Sequence, residues 1–383
     1  MRPTFNPGVQ LTGTGSCVGE RVLSNADVEP LVHGYDLARS GPFGAWVDQV
    51  THIHERPHAP PGTRSCDLAL PAARAALEMA GIGPKDLDLI VYATFTSSQD
   101  VPGDHAILAE ALGASRCPNF QLLGACAGSI YGMGVAYGMI LSGVARHVLV
   151  VGTETISPVI NWYDPLTAIL FGDGAGAAIL SRVDGAPAGT GMLPPVLGFE
   201  YSANAIQVTN SNLGFGLRCF PALPDRPAHG LVERSLVVMN GGPSVLRNAV
   251  NNMAECAVRT LGYELTDLKA GDPELRAVLD HAWLVPHQAN GRIVDGLADK
   301  LSMTKVLNTV YKYGNMSAAS NLVALDHGVR KGNLERIFDA DGKVLEIRET
   351  GRRIRKGDVV LLPSIGGGYL MGCVGLKLGC VGS

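Results

Sequence analysis

The chain repeats its own organisation, and this doubling limits its fold more than any other feature. In the first half, apolar runs at 88–93 and 147–152 read as strands, with a helical pattern at 130–144 between them. That half closes on Gly174-Ala175-Gly176-Ala177-Ala178-Ile179-Leu180. In the second half, strand-like runs at 282–285 and 358–362 enclose a helical pattern after Ser317, and the half closes on 366–378. Short apolar strands alternating with helices predict a parallel-rich sheet covered by helices in each half. Residues 67–80 and 244–261 read as corresponding amphipathic helices. We divide the chain at 1–185 and 186–383. Three segments interrupt the repeat. One is a Pro- and Gly-containing loop at 29–45, and one is a long stretch at 195–234 with Gly214, Gly216, Pro221, Pro224 and Pro227. The third, at 333–356, reads as a charged hairpin turning at Asp341-Gly342.

Chemistry concentrates at three junctions. Cys126 lies in Gly124-Ala125-Cys126-Ala127-Gly128-Ser129, where a loop of small residues enters a helix. The unpaired N–H groups and positive dipole end of a helix N-terminus favour thiolate over thiol, so the position suits a nucleophile. A lone cysteine in apolar sequence is more often a buried structural residue. His287 follows a strand in Leu284-Val285-Pro286-His287-Gln288-Ala289-Asn290, ahead of a helical pattern at 292–301. Asn315 sits in Tyr313-Gly314-Asn315-Met316-Ser317-Ala318-Ala319-Ser320, a second small-residue junction. Taken singly, the histidine reads as a hydrogen-bonded structural residue and the asparagine as a helix cap. Aligning Gly124 with Gly314 sets Ala125 against Asn315 and Cys126 against Met316. The order Cys, His, Asn is also that of papain-like hydrolases, which the doubled α/β pattern disfavours.

Composition narrows the class. The 383 residues are 46% hydrophobic and 17% charged, enough to bury a large core and to leave surface for an oligomer. A net charge of −4 speaks against nucleic-acid binding. The eight cysteines show neither C-x-x-C pairs nor regular spacing, so no metal site and no disulfide framework is expected, and a cytoplasmic setting fits. Residues 1–13 carry no apolar core behind a basic head, so no signal peptide is expected. No apolar run approaches the ~20 residues of a membrane span. Phe171-Gly172-Asp173-Gly174 is glycine-rich but lacks the lysine of a phosphate loop, and reads as structural.

Five ordered runs resemble the thiolase superfamily, in its ketoacyl synthase III branch. They are Gly124-Ala125-Cys126-Ala127-Gly128, Phe171-Gly172-Asp173-Gly174-Ala175-Gly176-Ala177, Pro286-His287-Gln288-Ala289-Asn290, Tyr313-Gly314-Asn315-Met316-Ser317-Ala318-Ala319-Ser320 and Gly366-Gly367-Gly368-Tyr369. The resemblance covers roughly 11–378. It implies a five-layered αβαβα fold of two pseudo-equivalent halves, a homodimer, and a decarboxylating condensation in fatty-acid-like or specialised polyketide synthesis. Cys126 would accept the acyl group, His287 and Asn315 would complete the triad, and the N–H groups of Cys126 and Gly367 would form the oxyanion hole. Substrates would be an acyl thioester and a malonyl-type thioester on coenzyme A or phosphopantetheine, with an acyl carrier protein as partner and no resident cofactor. Trp46 matches an adenine-stacking position, Arg292 a carrier-docking one, and Val101 a place where a partner-subunit aromatic shapes the acyl tunnel. Two arginines that grip the coenzyme A pyrophosphate in many members fall on Val50 and on the run Asp164-Pro165-Leu166, so both cations are missing. This favours a carrier-borne donor, or coenzyme A placed differently. The segment at 333–356 looks inserted, and Arg348, Arg352, Arg353, Arg355 and Lys356 either stay solvated or meet an acidic carrier. Two other readings are passage of the acyl group to an amine, hydroxyl or water without decarboxylation, and an inactive partner subunit.

Overall fold

The computed structural model describes residues 2–201, 206–208, 237–239, 242–339 and 344–381. Its core is two five-stranded sheets. The first takes its strands from residues 10–181, in the order Gln10–Val18, Gly174–Ser181, His147–Glu154, Leu89–Ala93, Asn119–Leu122. The second takes its strands from residues 191–377, in the order Trp283–Leu284, Val359–Gly366, Leu370–Lys377, Gly191–Met192, with Val196–Phe199 also paired to Leu370–Lys377. Helices Gly128–Leu141 and Ser320–Arg330 pack between the sheets, Ser65–Ala80 covers the outer face of the first, and Gly242–Thr260 covers the second. The result is the five-layered αβαβα arrangement, with apolar clusters on both sides of each sheet.

The parallel pairs lie towards one edge of each sheet, and the remaining pairs are antiparallel. Leu89–Ala93 pairs parallel to Asn119–Leu122 and to His147–Glu154, whereas Gly174–Ser181 runs antiparallel to both of its neighbours. In the second sheet Trp283–Leu284 is parallel to Val359–Gly366, which is antiparallel to Leu370–Lys377. The "parallel-rich" expectation is therefore corrected to mixed sheets. The loop expected at 29–45 is partly helical: the turns Glu29–Leu31 and Leu37–Ser40 precede the helix Phe43–Thr51, on which Trp46 sits. Gly214, Gly216, Pro221, Pro224, Pro227 and the Asp341-Gly342 turn lie outside the described residues. The strands flanking that turn, Leu334–Phe338 and Val344–Glu349, do pair antiparallel as a hairpin apart from the main sheets.

Candidate active site

Four elements meet at one cavity of 580 Å3, whose lining includes Cys126, His287, Asn315 and Gly367. The cysteine rides on a 3₁₀ turn, Ala125–Ala127, that leads directly into the helix Gly128–Leu141. Ala125 enters that turn with φ 43°, a left-handed conformation rarely taken by a residue with a side chain. The turn is clamped from the opposite side by the end of Val359–Gly366. Ser364 Oγ donates to the Cys126 carbonyl at 3.1 Å. A Cβ on Gly366 would stand 3.0 Å from the Cys126 nitrogen and 3.1 Å from that of Ala127, so any other residue would push the two backbones a few tenths of an ångström apart. Gly366 and Gly367 thus face the cysteine turn across the cavity wall.

His287 is 1% exposed and continues the parallel pairing of its strand, its N–H donating to Pro363 O at 2.9 Å. Two buried amides hold this segment. Asn321 Nδ2 donates to Val285 O and Pro363 O, and Gln288 Nε2 donates to Pro286 O and Leu307 O. Burial drives the imidazole pKa down to about 3, so the ring is neutral at physiological pH. Asn290 caps the helix Gly291–Leu301, its Oδ1 accepting from Ile293 N at 2.9 Å.

Asn315 bridges the halves. Its N–H donates to Leu170 O at 2.8 Å and its carbonyl accepts from Gly172 N at 3.0 Å. Its Oδ1 accepts from Ser317 N at 2.8 Å, which makes the amide N–H groups the donating end. A neutral imidazole and a side-chain amide beside a cysteine can together stabilise an oxyanion.

The cysteine departs from expectation in one respect. Desolvation outweighs the helix end and pushes its thiol up to about 11, with Ser317 acting in the opposite sense. At rest the site therefore holds a thiol and an uncharged imidazole rather than an ion pair.

The weaker candidates separate. Arg292 lines the cavity and is exposed at its mouth. Trp46 is not among the lining residues: it packs at 5.0 Å from Tyr35 and 5.8 Å from Phe43 by ring centroids. Val101 is not a lining residue either, and stands 90% exposed. Val50 and Leu166, where cations were missed, both line the wall. Asp164 caps the short helix Pro165–Ala168, accepting from Leu166 N at 3.0 Å. Asp173 is structural as read, accepting from Ala59 N, Ile156 N, Ser157 N and Ser157 Oγ. Sequence reasoning missed two neighbours of the cysteine, Ser317 and the fully buried Glu154. Glu154 sits in an ordinary Thr-containing run and Ser317 in the run quoted for Asn315, and their roles depend on what the fold places opposite them. Among the described residues no group of His, Cys, Asp or Glu is arranged to hold a metal ion.

Comparison with known proteins identifies the family. Residues 120–197 match the model of 3-oxoacyl-[acyl-carrier-protein] synthase III and residues 277–337 match its C-terminal model. A beta-ketoacyl-[acyl-carrier-protein] synthase III of Symbiobacterium thermophilum is 38% identical over 97% of this chain and 98% of its own. The crystal structure of 3-oxoacyl-[acyl-carrier-protein] synthase III from Aquifex aeolicus superposes with TM-score 0.74 at 29% identity, covering 97% of this chain and all 100% of that one. A priming beta-ketosynthase of a polyketide biosynthetic pathway superposes with TM-score 0.76 at 29% identity, covering 97% of this chain and 96% of the other.

Proposed function

The chain belongs to the 3-oxoacyl-[acyl-carrier-protein] synthase III family and is a condensing enzyme, and from that premise we propose how its own residues carry the reaction. Cys126 takes the acyl group, His287 and Asn315 stabilise the enolate of the extender, and the N–H groups of Cys126 and Gly367 hold the oxyanion. The observation that carries this reading is the convergence of Cys126, His287, Asn315 and Gly367 on one cavity.

In the first half-reaction the Cys126 sulfur attacks the thioester carbonyl, the proton of its thiol ends on the departing thiol, and an acyl-cysteine remains. Two backbone donors facing the cavity stabilise the tetrahedral oxyanion. A malonyl-type thioester then loses carbon dioxide, and the electron pair moves onto its thioester oxygen. The neutral His287 N–H and the Asn315 amide are the donors for that charge. Asparagine suits position 315, because a carboxylate there would repel the enolate. The carbanion attacks the acyl-cysteine and the carbon–sulfur bond breaks, releasing a β-ketoacyl thioester and the Cys126 thiolate, which takes a proton from solvent to restore the thiol.

We propose that the donor arrives on a carrier protein. Val50 and Leu166 make the wall apolar, and Arg292 is the one arginine or lysine among the described lining residues. One cation at the mouth suits the single phosphate of a phosphopantetheine arm better than the several phosphates of coenzyme A, since each charge-assisted contact contributes about 1.5–3 kcal/mol. The chain uses no cofactor beyond these thioester substrates in this reading, and we keep the cytosol as its setting.

The test is intact-protein mass of wild type and Cys126→Ala after mixing with acyl-coenzyme A and acyl-carrier thioesters, followed by carbon dioxide release from a malonyl thioester. Acylation of wild type alone, strongest from carriers, followed by carbon dioxide release, is the expected result. Acylation without carbon dioxide release would favour transfer to an amine, hydroxyl or water. No acylation of folded protein by any donor would remove Cys126 from the mechanism.

A further inference from the structure

Opposite the cysteine turn lies a second 3₁₀ turn, Ser317–Ala319, which leads into the helix Ser320–Arg330 as the first leads into Gly128–Leu141. The two turns pack against each other at the centre of the molecule. Ser317 enters its turn with φ 45°, matching Ala125 at 43°. Such a conformation is costly for a residue with a side chain and persists where the surroundings enforce it. Here the enforcement is visible: Asn315 Oδ1 holds Ser317 N, and Ser320 Oγ holds Met316 N at 3.1 Å. The consequence is a hydroxyl in an unusual place. Ser317 is 1% exposed, and its Oγ makes no hydrogen bond of normal geometry to any protein group. A buried hydroxyl without a well-formed hydrogen bond costs free energy, so its persistence beside the cysteine turn calls for a partner that accepts more strongly as the reaction proceeds. The group it acts on is the Cys126 sulfur, whose charged form it favours.

We propose that the Ser317 hydroxyl is a further donor to the nucleophile, hydrogen-bonding the Cys126 sulfur as negative charge develops there. In the resting enzyme a thiol asks little of a donor. During acyl transfer the sulfur carries charge twice, on attack and again when the carbanion displaces it, and both times it lies in a desolvated site. A hydroxyl held ready by a strained turn then meets a charge that burial otherwise penalises. No proton leaves Ser317: the thiol proton ends on the departing thiol, one carbon–sulfur bond forms and one breaks. The left-handed turn is the means of aiming this donor, since an ordinary helical φ at 317 would turn the side chain elsewhere.

This inference rests on the reading of Cys126 as acyl acceptor, but its first test does not depend on any acyl donor. Alkylation of the Cys126 peptide by iodoacetamide is followed against pH in wild type, Ser317→Ala and Ser317→Gly, together with the ultraviolet absorbance of the thiolate as a difference against Cys126→Ala. Alanine removes the hydroxyl and keeps the backbone strain, whereas glycine removes both and relieves a positive φ, which secures at least one folded variant. Both variants should move the thiolate titration up by about one unit and slow alkylation about tenfold below the midpoint. Carbon dioxide release by enzyme that has already been acylated should fall less than acylation does, because the Asn315 contact is made by the Ser317 backbone. An unchanged titration in both variants would overturn the proposal. A shift in only one of them would assign the effect to backbone strain. A matching loss in decarboxylation would assign Ser317 to holding Asn315 instead.

Discussion

Burial sets the resting charge of the site residue by residue. With His287 held down to about 3 and Cys126 pushed up to about 11, both are uncharged at neutral pH. His287 is then a donor and not a cation, so its removal should spare acylation and damage decarboxylation. We expect His287→Ala and Asn315→Ala to form acyl-cysteine while carbon dioxide release falls by at least about 10²-fold, as for loss of an oxyanion donor. Single-turnover mass measurements beside carbon dioxide assays separate the steps, and an equal loss in both would remove the division of labour. Glu154 carries a different consequence. Its carboxyl is fully buried, accepts from Thr94 Oγ1 at 3.0 Å, Thr96 Oγ1 at 2.5 Å and the N–H groups of Phe95 and Thr96, and is pushed up to about 8 by desolvation. The unfolded chain releases this proton near 4.5 and the folded chain near 8, so the folded state binds more protons between them. Stability from this group is full below 4.5 and is lost as pH rises towards 8, by up to a few kcal/mol. Glu154→Gln should flatten that decline in chemical denaturation at pH 5 to 8, and an unchanged slope would count against a neutral carboxyl. Cys126, His287 and Asn315 were legible because each sits in a recognisable run at a strand–helix junction. The roles of Ser317, although it shares the run of Asn315, and of Glu154 were not, because burial and the opposing backbone define them.

At the level of elements, the site depends on how closely a strand end approaches a helix start. Gly366 is the closest point, and its added methyl group would meet the nitrogen atoms of Cys126 and Ala127. The atoms it would strike are backbone, which cannot rotate away. Gly366→Ala should therefore displace the Cys126 N–H from the oxyanion hole and slow acylation about 10²-fold, while the two sheets and their helices persist. Time-resolved mass measurement of acylation, with circular dichroism as the control, checks this, and wild-type acylation would show that the approach is not needed. The repeat itself needed correction in register. Gly124 and Met316 both precede the 3₁₀ turns, and Ala125 and Ser317 both take positive φ, so the structural counterpart of Cys126 is Ala318 and not Met316. Two glycines, Gly124 and Gly314, made the alignment by identity, but the backbone path sets the correspondence two residues later. Strand Gln10–Val18 escaped notice for a related reason. Its sequence is Gly-, Thr- and Ser-rich because Gly13 and Gly15 pass beside the carbonyls of Ala76 and Ala72, where a Cβ would stand only 2.1 Å away. A strand chosen for thinness has no apolar run to announce it. The hairpin at 334–349 was legible as a hairpin, yet Arg336 turns inward from it: its guanidinium lies 3.4 Å from Asp48 and 4.9 Å from the centre of the Tyr311 ring. That contact braces the helices Phe43–Thr51 and Gly291–Leu301, whose Val50 and Arg292 line the cavity.

For the whole molecule, the first sheet ends on Asn119–Leu122, which pairs with Leu89–Ala93 on one side only. An edge strand offers a row of unpaired N–H and C=O groups to any strand that meets it. Beside this edge the surface is apolar: Leu123 is 75% exposed and Val101 90%. The segment carrying Val101 is tied to the edge through His105 Nδ1, 2.6 Å from Asn119 Oδ1. An unpaired edge flanked by exposed valine and leucine would accept a second copy related by a two-fold axis, which would continue the sheet and cover both side chains. In that arrangement Val101, remote from the cavity of its own chain, becomes a candidate for shaping the acyl end of its partner's. Val101→Asp puts a charge on this face without touching Cys126, His287 or Asn315, and should weaken association by at least about tenfold, since burying an unpaired carboxylate is costly. Sedimentation equilibrium reads the association, and competition between short and branched acyl thioesters in the mass assay reads the tunnel. A wild-type dimer that Val101→Asp dissociates, with altered acyl preference on re-association at high concentration, is the expected pair of results. A wild-type chain that stays monomeric while condensing at full rate would leave the exposed edge without a partner and return Val101 to the solvent-facing surface.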